Sequence, residues 1–327
     1  MSRPRKTPLT FSLLGVEKSL YWWCAAFLTG WVHADGKKIW PCKPCVPSLS
    51  GMWLRYANGS WQVRPLPHRG ERFGDGVFET MHVREGRLLF VGAHLQRLRQ
   101  ACLALDLRPP LALEAIFQEA ARLAEGAPTG RLRIILYREG AGSYTPPSNE
   151  AAIEIGIEAE AERRFPLSPA QRLIRYPTAF LVQTPWSPFK TLSSVGYVQA
   201  AAYAQAQRCE DALLLSVQGH LAETSRANLF FWDGKVLRTP SLRTGCVAGI
   251  LRQQVLQLAR TIGLPTEEGL YSYETLLQAQ EVFTTNVIQG IAPVLGIHGA
   301  GVSFRTGPDS LAAHLSEALS RQLSTYL

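Results

Sequence analysis

From residue 52 to its C-terminus the chain has two lysines, Lys190 and Lys235. A lysine amine becomes a nucleophile or a general base when burial or a neighbouring cation favours its neutral form. A surface charge is the ordinary fate of a lysine, but here only two compete, and Lys235 sits in the turn Asp233-Gly234-Lys235. Gly249 precedes the apolar-periodic run Ile250–Ile262, which Gly263 closes at the expected C′ position. Such a helix start gathers free backbone N–H groups and the positive end of the helix dipole at one point, where an anion binds. Arg97, on the amphipathic stretch His94–Leu105, reads either as a solvated arginine or as a charge-assisted anion contact. Glu223, shortly after Gly219, reads by itself as a turn glutamate. No Ser/His/Asp order, HExxH or P-loop stands out, and Gly74-Asp75-Gly76 lacks the GxGxxG spacing. Cys42-Lys43-Pro44-Cys45 is a CxxC with only His33 near as a further zinc ligand, and it lacks a thioredoxin-like context. It reads as two free thiols.

The elements that must hold these groups follow from composition and periodicity. The 327 residues are 46% hydrophobic and 18% charged, a globular composition. The formal charge is +8, but residues 1–51 hold seven basic and two acidic side chains, so only +3 is left for the other 276 residues. That excludes a general nucleic-acid binder. No apolar run approaches the roughly 18 residues of a membrane span. Residues 1–51 fit a signal peptide poorly and are expected to be a poorly ordered extension, or a mis-called start before Met52; the cytoplasm is the default compartment. Residues 52–165 read as a small α/β domain. Trp53–Val63 is a hairpin turning at Asn58-Gly59, Val77–Val83 is a strand, His94–Leu105 and Leu111–Leu123 are helices, and Arg131–Tyr137 and Ala151–Glu158 are strands. A linker is expected at Glu160–Pro169. Residues 166–327 read as a larger domain with strands at Ala179–Gln183, Asp211–Ser216, Asn228–Trp232 and Glu281–Thr285, and helices near Gln199–Gln207, Ile250–Ile262 and the C-terminus. Two mixed α/β domains meeting at a cleft is the predicted architecture.

Three stretches point further: Glu223-Thr224-Ser225-Arg226-Ala227-Asn228-Leu229-Phe230, then Leu237-Arg238-Thr239, then Val247-Ala248-Gly249-Ile250-Leu251-Arg252. Together they resemble the signature of the class IV aminotransferases, the fold-type-IV family that uses pyridoxal 5'-phosphate. Arg72–Thr80, His94-Leu95-Gln96-Arg97-Leu98, Phe189-Lys190-Thr191-Leu192 and Glu281–Val294 resemble further motifs of that family, so the likeness covers about residues 52–305. It implies that Lys190 forms the Schiff base and then acts as acid and base at Cα, and that Glu223 holds the pyridine proton. It further implies that Arg97, the N–H groups of Ile250 and Leu251, and the Asn286-Val287 pair hold the phosphate. Asn286 and Val287 depart from the family's usual Ser/Thr or Gly-Thr pair. The resemblance also implies a homodimer whose loop Arg138–Tyr144 reaches the partner's site, and a small amino-acid-like substrate.

The family contains aminodeoxychorismate lyases as well as branched-chain and D-amino-acid aminotransferases. Thr285-Asn286-Val287-Ile288 and Asn228-Leu229-Phe230-Phe231-Trp232 resemble the lyase, and Arg131–Tyr137 lacks the Tyr-x-Arg-Pro of branched-chain enzymes. The lyase, which releases pyruvate and leaves 4-aminobenzoate, is the first expectation. An amino-acid aminotransferase is the second, and a non-catalytic homologue a remote third. The position five after Lys190, where branched-chain enzymes carry a cofactor-contacting tyrosine, is Val195; Tyr197 lies two residues beyond it.

Overall fold

The computed structural model describes residues 31–32, 38–39, 53–57, 60–64, 67–159 and 165–324. They fall into two compact units divided between Pro67 and His68. In the first, β1 (Trp31–Val32) pairs with β2 (Lys38–Ile39), and β3 (Trp53–Ala57) pairs antiparallel with β4 (Ser60–Arg64), as the hairpin pattern predicts. The CxxC at Cys42–Cys45 lies outside the described residues, as do residues 160–164 of the expected linker.

The second unit holds two sheets. After a short helix, α1 (Arg69–Phe73), the strands β5 (Gly76–Arg84), β6 (Arg87–Leu88), β7 (Thr129–Arg138) and β8 (Ala151–Ala159) form an antiparallel sheet in the order β6-β5-β7-β8. Strand β7 alternates strictly. Leu132, Ile134 and Leu136 are fully buried, and they share one core with Leu98 of helix α2 (Val91–Leu105) and with Ile116 and Phe117 of helix α3 (Leu113–Ala124). The period-2 pleat therefore turns Arg131, Arg133, Ile135 and Tyr137 to the opposite face.

The larger sheet is built from β9 (Gln171–Arg175), β10 (Asp211–Leu215), β11 (Leu221–Thr224), β12 (Asn228–Trp232), β13 (Leu237–Pro240), β14 (Thr266–Gly269), β15 (Glu281–Asn286), β16 (Gly290–Ile297) and β17 (Val302–Ser303). Its order is β11-β10-β9-β16-β15-β12-β13-β14, with β17 on β16. An additional β11–β12 pairing closes six of these strands into a ring. Helices α4 (Val195–Ala206), α5 (Ile250–Thr261), α6 (Tyr273–Leu277) and α7 (Leu311–Ser324) complete the unit. None of the helices among the described residues is long and apolar enough to cross a membrane.

The strand expected at Ala179–Gln183 is absent; Leu181 alone makes a bridge, to Ser216. The strand lies earlier, at β9, held parallel between β10 and β16. Its alternation is obscured by Arg172 and Arg175, which point outward while Leu173 and Ile174 are buried. The irregular chain that follows, up to α4, carries Lys190.

Candidate active site

A cavity of about 1280 Å³ lies between the two sheets of the second unit, lined by Lys190, Glu223, Arg97 and the start of α5. The segment carrying Lys190 is fastened to β5 by backbone bonds on both sides. Phe78 N donates to Lys190 O at 2.8 Å, and Leu192 N donates to Gly76 O at 2.9 Å. This docking explains Gly74, whose φ is +66° and whose missing Cβ would stand 2.3 Å from Ser193 Oγ and 3.0 Å from Ser193 backbone. The Lys190 amine lies 4.6 Å from the centre of the Phe78 ring. Burial, helped by the positive charge of Arg97, pulls its pKa down to about 8, against the opposing influence of Glu79 and Glu223. A usable fraction of neutral amine thus exists near neutral pH.

Glu223 is placed by the tight turn from β11 to β12. Thr224 N donates to Ala227 O at 2.8 Å, and the register sets Glu223 beside Asn228. Asp211, 1% exposed, holds the turn from behind by accepting from Thr224 Oγ1 at 2.7 Å and from Ser225 N at 3.2 Å. Glu223 is 3% exposed, and burial raises its pKa to about 7. Its Oε1 accepts from Tyr197 Oη at 2.7 Å and from Val247 N at 3.1 Å, and Asn228 Nδ2 donates to its Oε2 at 3.3 Å. Tyr197 is the residue that counting from Lys190 passed over: α4 opens at Val195, which is 77% exposed, and turns Tyr197 inward.

The third part of the site is cationic. Gly249 caps α5, and a Cβ there would lie 1.9 Å from Asn228 Oδ1, so glycine lets the helix start sit against the turn that presents Glu223. The first-turn N–H groups at Ile250 and Leu251 have no intrahelical acceptor. Arg97 reaches the same place from α2, donating to Ala248 O at 3.0 Å. Its Nε and Nη2 form a bidentate pair with Glu79 at 2.7 and 2.5 Å, and His94 Nδ1 meets the same carboxylate at 2.7 Å. Glu79 is 2% exposed and had no separate role in the sequence pattern. Burial acts to raise its pKa, but Arg97 and His94 outweigh that and hold it at about 2.

Asn286 and Val287 also line the cavity, with different dispositions. Asn286 Oδ1 accepts from Ile288 N and Gln289 N, and its Nδ2 donates to Gln289 Oε1 at 2.7 Å and Arg226 O at 3.2 Å. The side chain is used up closing its own loop. Val287 packs with Leu89 and Leu251. The polar group that this loop leaves over is Thr285 Oγ1, buried and without a hydrogen-bond partner among the described residues.

The family model described as class IV amino-transferase matches residues 76–297. The chain is 28% identical to an aminodeoxychorismate lyase of Vibrio harveyi over 246 residues, 74% of this chain and 90% of that one. It is 26% identical to a D-alanine aminotransferase of Listeria monocytogenes over 257 residues, 76% and 88% of the two chains. Among solved structures, the 4-amino-4-deoxychorismate lyase of Pseudomonas aeruginosa superposes with a TM-score of 0.66 at 27% identity, covering 83% of this chain and 99% of that one.

Proposed function

The chain belongs to the class IV aminotransferase family, and on that premise we propose that it is a pyridoxal-phosphate-dependent aminodeoxychorismate lyase, releasing pyruvate and leaving 4-aminobenzoate. The residues present fit the cofactor. The Gly249 helix start, the orphaned Thr285 hydroxyl and Arg97 suit a phosphate. Glu223, buried opposite a cavity, suits a ring nitrogen that must keep its proton. Bound there, pyridoxal phosphate supplies an aldehyde for the Lys190 amine and an electron-withdrawing ring that acidifies the substrate's Cα–H. Lys190 Nζ takes that proton, a role its pKa near 8 allows. Glu223 holds the proton of the ring nitrogen, and the Ile250 and Leu251 N–H groups with Arg97 fix the phosphate end.

The observation that favours the lyase is the Thr285–Ile288 loop, in which Asn286 closes the turn and leaves Thr285 Oγ1 facing the site, together with the near full-length similarity to the Vibrio harveyi enzyme. The similarity to the Listeria enzyme favours an amino-acid aminotransferase as the second reading. A homodimer belongs to the proposal, with the loop Arg138–Tyr144 offered to the partner; Arg69 and Arg72 hold its backbone from Gly142 to Tyr144, and the Tyr144 side chain is 85% exposed. The test supplies holoprotein with aminodeoxychorismate and, separately, with L-glutamate, L-leucine or D-alanine. Pyruvate release from the first is expected. Conversion of the cofactor to its pyridoxamine form by an amino acid, with no pyruvate from aminodeoxychorismate, would replace the lyase by the aminotransferase.

Tyr197→Phe tests the carboxylate's support. Losing the Tyr197 donor removes an influence that lowers the Glu223 pKa, so that pKa moves further up. A hydrogen bond to a charged group contributes about 1.5–3 kcal/mol. The expected result is a kcat lower by about 10-fold, with KM little changed and the acid limb of the pH–rate profile displaced to higher pH. An unmoved acid limb would assign Tyr197 to packing alone.

A further inference from the structure

His94 is fully buried, and its side chain meets the carboxylate of Glu79. It stands three residues before Arg97 on α2, so both side chains leave the same face of the helix and both reach Glu79 on β5. Glu79, its pKa held at about 2, is charged and its oxygens only accept. Burial holds the His94 pKa below its ordinary value, so the ring is neutral. Its proton is therefore on Nδ1, which donates to Glu79 Oε2 at 2.7 Å, and the buried Nε2, which has no hydrogen-bond partner among the described residues, is a bare lone pair. The other tautomer would set two lone pairs against each other and bury an unanswered N–H.

What this bond does follows from the donors of Arg97. A guanidinium has five N–H groups. Nε and Nη2 each give one to Glu79, and Nη1 gives one to Ala248 O beside the start of α5. One N–H is left on each Nη, on a side chain that lines the cavity. The direction of these two donors is set by the plane of the Glu79 carboxylate, and the terminal torsion of a glutamate is broad. The two bonds from Arg97 lock carboxylate and guanidinium to each other, yet the joined pair still hangs on two long, flexible side chains. His94 supplies a further point of attachment. It ties Oε2 to α2 through a short, rigid ring with no exposed surface.

We propose that His94 is a positioning residue: by holding Glu79 it aims the Arg97 guanidinium at an anion on the α5 start, and so sets how much the phosphate contributes to cofactor affinity. The inference rests on the reading of that place as the phosphate site and deepens it, whichever reaction follows. Asparagine and leucine offer the test, because their side chains share one branched shape. Asparagine carries an amide N–H near the position of the imidazole Nδ1–H, and leucine carries a methyl there. His94→Asn and His94→Leu therefore lose the same ring packing and differ in the bond to Glu79.

The experiment titrates full-chain apoprotein with pyridoxal phosphate and with pyridoxal, which has the aldehyde and the ring but no phosphate. Binding is followed by the visible band, and a thermal melt accompanies each variant. His94→Leu is expected to bind pyridoxal phosphate about 10-fold more weakly, the size of one hydrogen bond to a charged group, and to bind pyridoxal as wild type does. His94→Asn should recover most of that loss, to within about 3-fold of wild type. In an Arg97→Met background, His94→Leu should add nothing further. His94→Met, which lacks the donor but nearly fills the volume of the ring, carries the same expectation should His94→Leu fail to fold. Equal pyridoxal-phosphate affinities in the asparagine and leucine variants would overturn the inference. So would a loss in His94→Leu that pyridoxal shares, since packing alone would then account for it. Failure of the underlying site reading looks different: Arg97→Met would itself bind pyridoxal phosphate as wild type does.

Discussion

Lys190→Ala is expected to lose at least about 10³-fold in kcat while keeping its fold. A positioned general acid–base contributes roughly 10²–10⁴-fold, and Lys190 is in addition the amine that would carry the cofactor, so both contributions go together. Among the described residues after residue 51 the other lysine is Lys235, which lies in an exposed turn and does not line the cavity. Stability should move the opposite way. The folded pKa of about 8 lies below the free value of 10.5, so the fold favours the neutral amine. That preference is fully satisfied above about pH 10.5 and lost below about pH 8, where the folded protein carries a desolvated ammonium. At pH 7 the alanine variant is therefore expected to melt at or above the wild-type temperature. Activity measured beside a thermal melt decides the point: a variant that loses activity only in proportion to lost folded protein would take the catalytic role away from Lys190. Added methylamine, a free amine small enough for the cavity left behind, should restore part of the rate.

What could be read ahead of the structure divides along physical lines. Lys190 and the α5 start carry local signals, a scarce residue type and a glycine before an amphipathic run that ends in another glycine at φ +71°, whereas Glu223 by itself read as a turn glutamate and was singled out by the family resemblance alone. Periodicity found α2 and α3 to within a few residues, because each has one apolar face and one charged face. Tyr197 was noted as lying two residues beyond the counted position, but its bond to Glu223 could not be read, because a position counted along the chain becomes a direction in space only once the first residue of α4 is known. Strand β9 was lost because two outward arginines break up a short buried strand. The partnership of Glu79 with Arg97 is a strand meeting a helix, and no spacing rule connects them.

That partnership carries the second large effect, on stability. Glu79→Ala leaves Arg97 buried, charged and without its bidentate carboxylate. Removing one member of a buried pair costs about 3–5 kcal/mol, since the remaining ion keeps its desolvation penalty and loses its attraction. In a unit of this size that lowers Tm by roughly 6–20 °C. The pH dependence follows from the same carboxylate. Its folded pKa of about 2 lies below the free value of 4.5, so its contribution is complete above about pH 4.5 and disappears as pH falls toward 2. The wild type should lose stability over that interval more steeply than Glu79→Ala. The double variant Glu79→Ala/Arg97→Met separates pairing from function. With both charges gone the buried penalty goes too, and Tm should recover most of what Glu79→Ala lost. Cofactor affinity should stay weak in both variants, because the guanidinium that meets the start of α5 is misdirected in one and missing in the other. If Glu79→Ala alone leaves Tm within about 2 °C of wild type, the pair is not holding this part of the fold. If the double variant binds pyridoxal phosphate as wild type does, Arg97 does not belong to the phosphate site.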